Sequence, residues 1–389
     1  MKTSSRKKII SGRKVELIDK EFEHIPSLDG VRGLSLLLVI GFHLQLFGML
    51  AALPLQLQLI ASISWVSVDM FFVLSGFLIT SILLRTRESP HYFKNFYVRR
   101  ILRILPLYYL ALFIIFVICP NFSIGSTSDF SKIYDNKFWF LFYIQNIYIA
   151  TRHEFFAFGI NDLWTLAIEE QFYIVWPLFI YFIQKKWLKA TAITIITMVL
   201  LMRIVLVCND VNWSFNYYFT LCRIDSICFG ALGAILLHEN YTKQQLTTIV
   251  RILTIISITG LGIIFYKQEG FLISQNYTSS IGFTFIDALF FVLIIKLASG
   301  KMSILKKMFE FPFLRFIGKI SYCMYIIHNP LIQFSKLYII PITKTNDFFY
   351  RSLTGNIVFV IIYLCIIISI SLISWHLFEK WFLKLKRYF

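Results

Sequence analysis

Arg32 and His43 lie eleven residues apart in LDGVRGLSLLLVIGFHLQLF, an otherwise largely apolar stretch. On a helix, eleven steps of about 100° bring the second side chain within about 20° of the first, roughly 16 Å along the axis, so both point to one face. A guanidinium offers paired donors to phosphate, and an imidazole exchanges protons near neutral pH. The pair suits a long, thin donor whose phosphates stay at the mouth while its reacting end is threaded inward. An acyl thioester of coenzyme A has that shape. The plainer alternative is that Arg32 reaches headgroups and His43 makes a single interhelical hydrogen bond.

Four further stretches carry charges that could act with this pair. In YVRRILRILPLYY, Arg99 and Arg103 are four residues apart and share a helix face, a second phosphate-sized site, although positive charge at a cytosolic boundary is also ordinary topology. Pro106 is expected to kink or start the span that follows. In WVSVDMFFVLSGFLITSILL, Asp69 falls near the outer end of a span, and the small pair Ser75 and Gly76 allows close helix approach. In NDLWTLAIEEQFYIVWPLFIYF, Glu169 and Glu170 point about 100° apart and need separate partners. Arg223 of CRIDSICFGALGA is a candidate partner for one of them. Trp164, Phe172, Tyr173 and Trp176 around these carboxylates suit a sugar ring, but aromatic belts are routine at membrane interfaces.

The elements that position these residues follow from composition. Of 389 residues, 58% are hydrophobic and 15% charged, and the mean hydropathy is +0.71; a soluble domain is about 45–50% apolar and about 25% charged. The expectation is an all-α polytopic membrane bundle. Ten helices are placed near 33–51, 64–84, 101–119, 163–183, 188–207, 217–237, 249–266, 281–298, 315–340 and 356–379, at about 20 residues per crossing. The apolar stretch 138–150 is too short to cross and is read as a re-entrant or interfacial segment. The net charge of +17 sits between apolar spans rather than on one groove-facing surface, which argues against nucleic acid. With ten crossings and both termini in the cytosol, 27 of the 38 Lys and Arg face inward and 6 outward, as the positive-inside rule requires. This divides the chain into a basic cytosolic tail (1–32), a membrane domain (33–379) and a basic C-terminal tail (380–389). No signal peptide is expected, and the six cysteines show no zinc-type spacing, so no metal is expected either.

Taken in order, LDGVRG with the Arg32 to His43 spacing, VDMFFVLSGFLIT, YVRRILRILP, LWTLAIEEQFYIVWP, the Arg223 segment and ISYCMYIIHNPL resemble the membrane acyltransferase-3 family of bacterial polysaccharide O-acyltransferases. The resemblance covers nearly the whole chain. It implies transfer of an acyl group, commonly acetyl, from cytosolic acyl-CoA to a hydroxyl of a cell-surface or lipid-linked saccharide at a bacterial cytoplasmic membrane, alone or with an envelope-biosynthesis protein partner. It carries over Arg32 and His43 as the central motif and Arg99 and Arg103 as cytosolic arginines. Asp69, Glu169, Glu170 and Arg223 become acceptor-side or structural charges, and His328 fits the pattern but equally fits a packing role. Some members append an extracellular esterase-like domain, which KWFLKLKRYF at the end of this chain does not announce. The rival reading is a transporter or flippase of a polar lipid-linked substrate, since such proteins also keep charges at the midplane.

Overall fold

The computed structural model describes residues 25–121, 127–239, 241–299, 303–339 and 346–388, and their regular structure is entirely helical. The longer helices are α1 (Pro26–Leu46), α2 (Leu55–Thr86), α3 (Tyr92–Asn121), α4 (Trp164–Phe182), α5 (Lys185–Cys208), α6 (Ile224–His238), α7 (Lys243–Gln268), α8 (Thr278–Ser299), α9 (Pro312–Phe334) and α10 (Leu353–Tyr388). Among the described residues, seven of them, α1, α2, α3, α5, α7, α8 and α10, are long and apolar enough to cross a membrane. Helices α4, α6 and α9 occupy the other three expected positions, and α6 has only 15 residues.

Several boundaries differ from the sequence expectation for local reasons. Helix α1 starts at Pro26 rather than near 33, because proline lacks only an N–H that the first turn leaves unbonded, and Asp29 complements the positive end of the helix. Arg32 thus lies inside α1, and what lies outside the described residues is the part of the tail before residue 25. Helix α3 starts at Tyr92, so Arg99 and Arg103 are helical and Pro106 is internal. Helix α10 continues through a π-helical turn at Trp375–Glu379 as far as Tyr388. The 138–150 stretch is broken into Lys137–Leu141 and Gln145–Arg152, with Tyr143 at φ +55° between them. Neither piece reaches the ~20 residues that a crossing needs.

Helices α1, α2 and α8 are mostly buried, whereas α3, α5, α7 and α10 leave most of their apolar surface open, as lipid-facing helices do. In lipid, packing depends on close backbone approach rather than hydrophobic burial. Glycines supply it at two contacts. A Cβ on Gly76 of α2 would lie 1.9 Å from the Ile227 carbonyl oxygen of α6, and one on Gly318 of α9 would lie 2.0 Å from the Asp29 carbonyl oxygen of α1. Helices α1 and α9 run parallel, since Asp29 meets Gly318 near their starts and His43 meets His328 further along.

Candidate active site

Helices α1, α2, α3, α4, α9 and α10 enclose a cavity of about 710 Å³. Arg32, Arg85, Arg100, Arg103 and Lys319 line one end of it, together with Glu169 and Glu379. These cations come from the first halves of α1, α3 and α9 and the last turn of α2, which all meet at the same end of the bundle. Phe71, Phe72, Thr165 and Tyr325 line the other end. From Arg85 to Phe71 along α2 the cavity extends about 21 Å at about 1.5 Å per residue. The lining combines five cations with apolar and aromatic side chains.

Within the basic end, Arg32 Nη1 donates to Asp29 Oδ1 at 3.4 Å. The Arg100 guanidinium lies 5.6 Å from the Tyr173 ring centre, and the hydroxyls of Tyr173 and Ser75 bond each other beside Glu169. Arg103 lines the cavity, while Arg99, exposed on the helix surface, does not; Arg100 takes the inward position. Glu170, next to Glu169 in sequence, also lies outside the lining, as their divergent directions require.

Beyond Tyr325 lies a second buried group. His43 Nδ1 is 2.9 Å from the Val39 carbonyl oxygen and its Nε2 is 3.1 Å from Asp162 Oδ1. His328 Nδ1 is 2.5 Å from the Tyr325 carbonyl oxygen, and its Nε2 is 3.1 Å from Asp162 Oδ2 and 3.3 Å from His43 Nδ1. A carbonyl only accepts, so each Nδ1 carries a proton, and exchange takes place at each Nε2, whose proton, when present, is donated to Asp162. Asn329 Nδ2 donates to Asp162 Oδ2 at 2.9 Å, and the Tyr363 hydroxyl donates to the His328 carbonyl at 2.8 Å, which fixes the group from behind. Burial alone would raise the Asp162 carboxyl, but the charge of His43 and hydrogen bonds from both imidazoles hold it well below the usual carboxylate range. The carboxylate therefore stands where it stabilises an imidazolium formed at His43. The ligand-capable atoms of His43, Asp162 and His328 all lie within 4.8 Å of one another, so the same three side chains could also surround a metal ion.

Arg32 borders the cavity and His43 does not; Tyr325, which borders it, has its ring centre 5.3 Å from that of His328. Asp69 and Arg223 pair with each other, which corrects the expectation that Arg223 meets Glu169 or Glu170. Their network is fully buried and includes Arg203, whose Nη2 is 2.5 Å from Asp225 Oδ2, and Ser226, whose hydroxyl donates to Asp287 Oδ2 at 2.8 Å. Sequence reasoning passed over Asp162 and Arg100. The one signal for Asp162 was a carboxylate immediately ahead of an apolar helix start, in NDLW.

A family model described as an acyltransferase domain matches residues 25–376. The chain is 29% identical over 347 residues to the peptidoglycan O-acetyltransferase OatA of Listeria monocytogenes, covering 83% of this chain and 52% of that protein. A Bacillus subtilis protein, YrhL, provisionally named a peptidoglycan O-acetyltransferase, is 29% identical over 380 residues, covering 92% of this chain and 54% of its own length. A Staphylococcus aureus protein provisionally named an O-acetyltransferase is 30% identical over 336 residues, covering 82% of this chain and 52% of itself. The chain thus spans about half the length of these relatives. No solved structure matches it.

Proposed function

The chain belongs to the acyltransferase-3 family of membrane proteins, and on that premise we propose that it moves an acetyl group from cytosolic acetyl-CoA to a hydroxyl of a cell-wall saccharide of the peptidoglycan type. The observation that carries this reading is the basic cavity that ends one aromatic ring away from the buried His43 and Asp162. Arg32, Arg100 and Arg103 hold the CoA phosphates, with Arg99 drawing the donor towards the mouth. The pantetheine arm runs along the apolar middle. His43 Nε2 takes the proton of the acceptor hydroxyl as that oxygen attacks the thioester carbonyl, and Asp162 stabilises the resulting imidazolium. Collapse of the tetrahedral intermediate expels the thiolate, which takes up the proton. No metal has a part in this scheme. Transfer through an acyl-histidine is a second route open to the same nitrogen.

The arrangement is consistent with ten crossings, α1 to α10, with both termini in the cytosol and the basic end of the cavity facing inward. Glu169 and Glu170 then serve the acceptor or the structure, and the Asp69–Arg223 network holds the outer half of the bundle together. An envelope-biosynthesis protein is a candidate partner for delivery. The test is transfer of isotopically labelled acetyl from acetyl-CoA to envelope glycan by the purified protein in lipid, read by mass spectrometry. Labelled glycan in a His43-dependent manner supports the reading, and failure of the protein to bind acetyl-CoA refutes it.

A further inference from the structure

The cavity and the imidazole group are neighbours, and Tyr325 is common to both. Tyr325 lines the inner end of the cavity on one side, and its ring centre is 5.3 Å from that of His328 on the other. The ring is held on several sides. Its hydroxyl donates to the Asp162 carbonyl at 3.0 Å and bonds the Thr165 hydroxyl at 2.6 Å, while the Phe71 ring meets it edge-on at 6.0 Å between centres. His43 and Asp162 border no part of the cavity, and their side chains keep 11% and 14% exposure.

This geometry bears on which acceptor is used. A thioester beside a poised base is attacked by any hydroxyl that reaches it, and water is by far the most abundant. Excluding water from a reactive centre suppresses such side reactions. We propose that Tyr325 is the specificity-determining residue that keeps the thioester apart from the His43 imidazole until a saccharide hydroxyl is in place, so that the acyl group is not lost to hydrolysis. The inference rests on the acyl-transfer reading. In the reaction it prevents, water oxygen bonds to the acyl carbon and the carbon–sulfur bond breaks. Free CoA thiol and acetate are released, with the water proton passing through His43 Nε2 and the acetic acid ionising in solution.

The experiment follows thiol release from acetyl-CoA by the purified protein in lipid, without acceptor, for wild type, Tyr325→Ala, Tyr325→Leu and Tyr325→Phe. Binding of acetyl-CoA is measured on each variant, and Tyr325→Leu keeps apolar volume should Tyr325→Ala fail to fold. The expected result is a rise in hydrolysis of about tenfold or more in the Ala and Leu variants, which open the partition, and a much smaller rise in Tyr325→Phe, which keeps the ring. Adding His43→Ala to Tyr325→Leu should remove the gain. Unchanged hydrolysis in Ala or Leu variants that still bind acetyl-CoA overturns the proposal, as does an equal rise in Tyr325→Phe, which would assign the effect to the hydroxyl. Absence of acetyl-CoA binding by the wild type is a separate failure, and it removes the acyl-transfer reading together with this one.

Discussion

His43 Nε2 lies 3.1 Å from Asp162 Oδ1, so the imidazole of α1 is held by a carboxylate from the turn that precedes α4. Two distant parts of the chain meet at one nitrogen, and most of the following expectations depend on that meeting.

His43→Ala should lower kcat for acetyl transfer by about 10²–10⁴-fold, the usual value of a positioned base. The KM for acetyl-CoA should change little, because the proposed scheme gives donor binding to the arginines. Initial rates at varied donor concentration check both, and a folded variant with full kcat would refute the role of His43.

Asp162→Asn keeps the size but removes the charge that stabilises the His43 imidazolium, so kcat should fall while donor binding persists. The same carboxylate gives a pH signature. Its pKa is lowered in the folded protein, so its stabilising contribution is complete above the unfolded value of about 3.9 and is lost as pH falls below it. Thermal unfolding in detergent should steepen with acid below about pH 4 in wild type and less so in Asp162→Asn.

Arg32→Ala and Arg103→Ala should each weaken acetyl-CoA binding by roughly 10–100-fold, as expected for a charge-assisted contact of about 1.5–3 kcal/mol. Arg32→Lys should recover part of it, since an ammonium keeps the charge but not the paired donors. Calorimetric titration with acetyl-CoA distinguishes these outcomes.

Treatment with EDTA should leave acetyl transfer unchanged. Loss of activity, restored by one divalent metal and absent in His328→Ala, would turn His43, Asp162 and His328 into a metal centre.

Arg223→Met should destabilise the protein by about 3–5 kcal/mol, because it strands Asp69 as a buried charge. Combining it with Asp69→Leu should recover much of the loss. Thermal melts of the two single variants and the double variant measure the coupling.

The helices were legible because crossing hydrocarbon demands long apolar runs, and even boundary errors such as Pro26 against residue 33 trace to caps that an apolar count does not see. Arg32 was legible as a charge that topology does not explain, Glu169 as a carboxylate within a span, and Arg103 as one of two arginines sharing a helix face. Asp162 was not, since a carboxylate in a loop is unremarkable until the fold buries it between two imidazoles. Arg100 was not, because the four-residue spacing pairs Arg99 with Arg103 and does not tell which arginine of that turn faces inward. The Asp69–Arg223 pair joins segments far apart in sequence, and no local spacing announces it.

Gly33 and Gly318 each stand ten residues ahead of an imidazole, His43 and His328, on two helices that travel side by side. The spacing between those rings is therefore governed about 15 Å away, where the two backbones touch. A single methyl group added at Gly33, which lies outside the cavity lining, would act like a wedge in a hinge, prising the two imidazoles apart without meeting the donor. Inactive variants at such positions would be failures of alignment, with every reacting group still present.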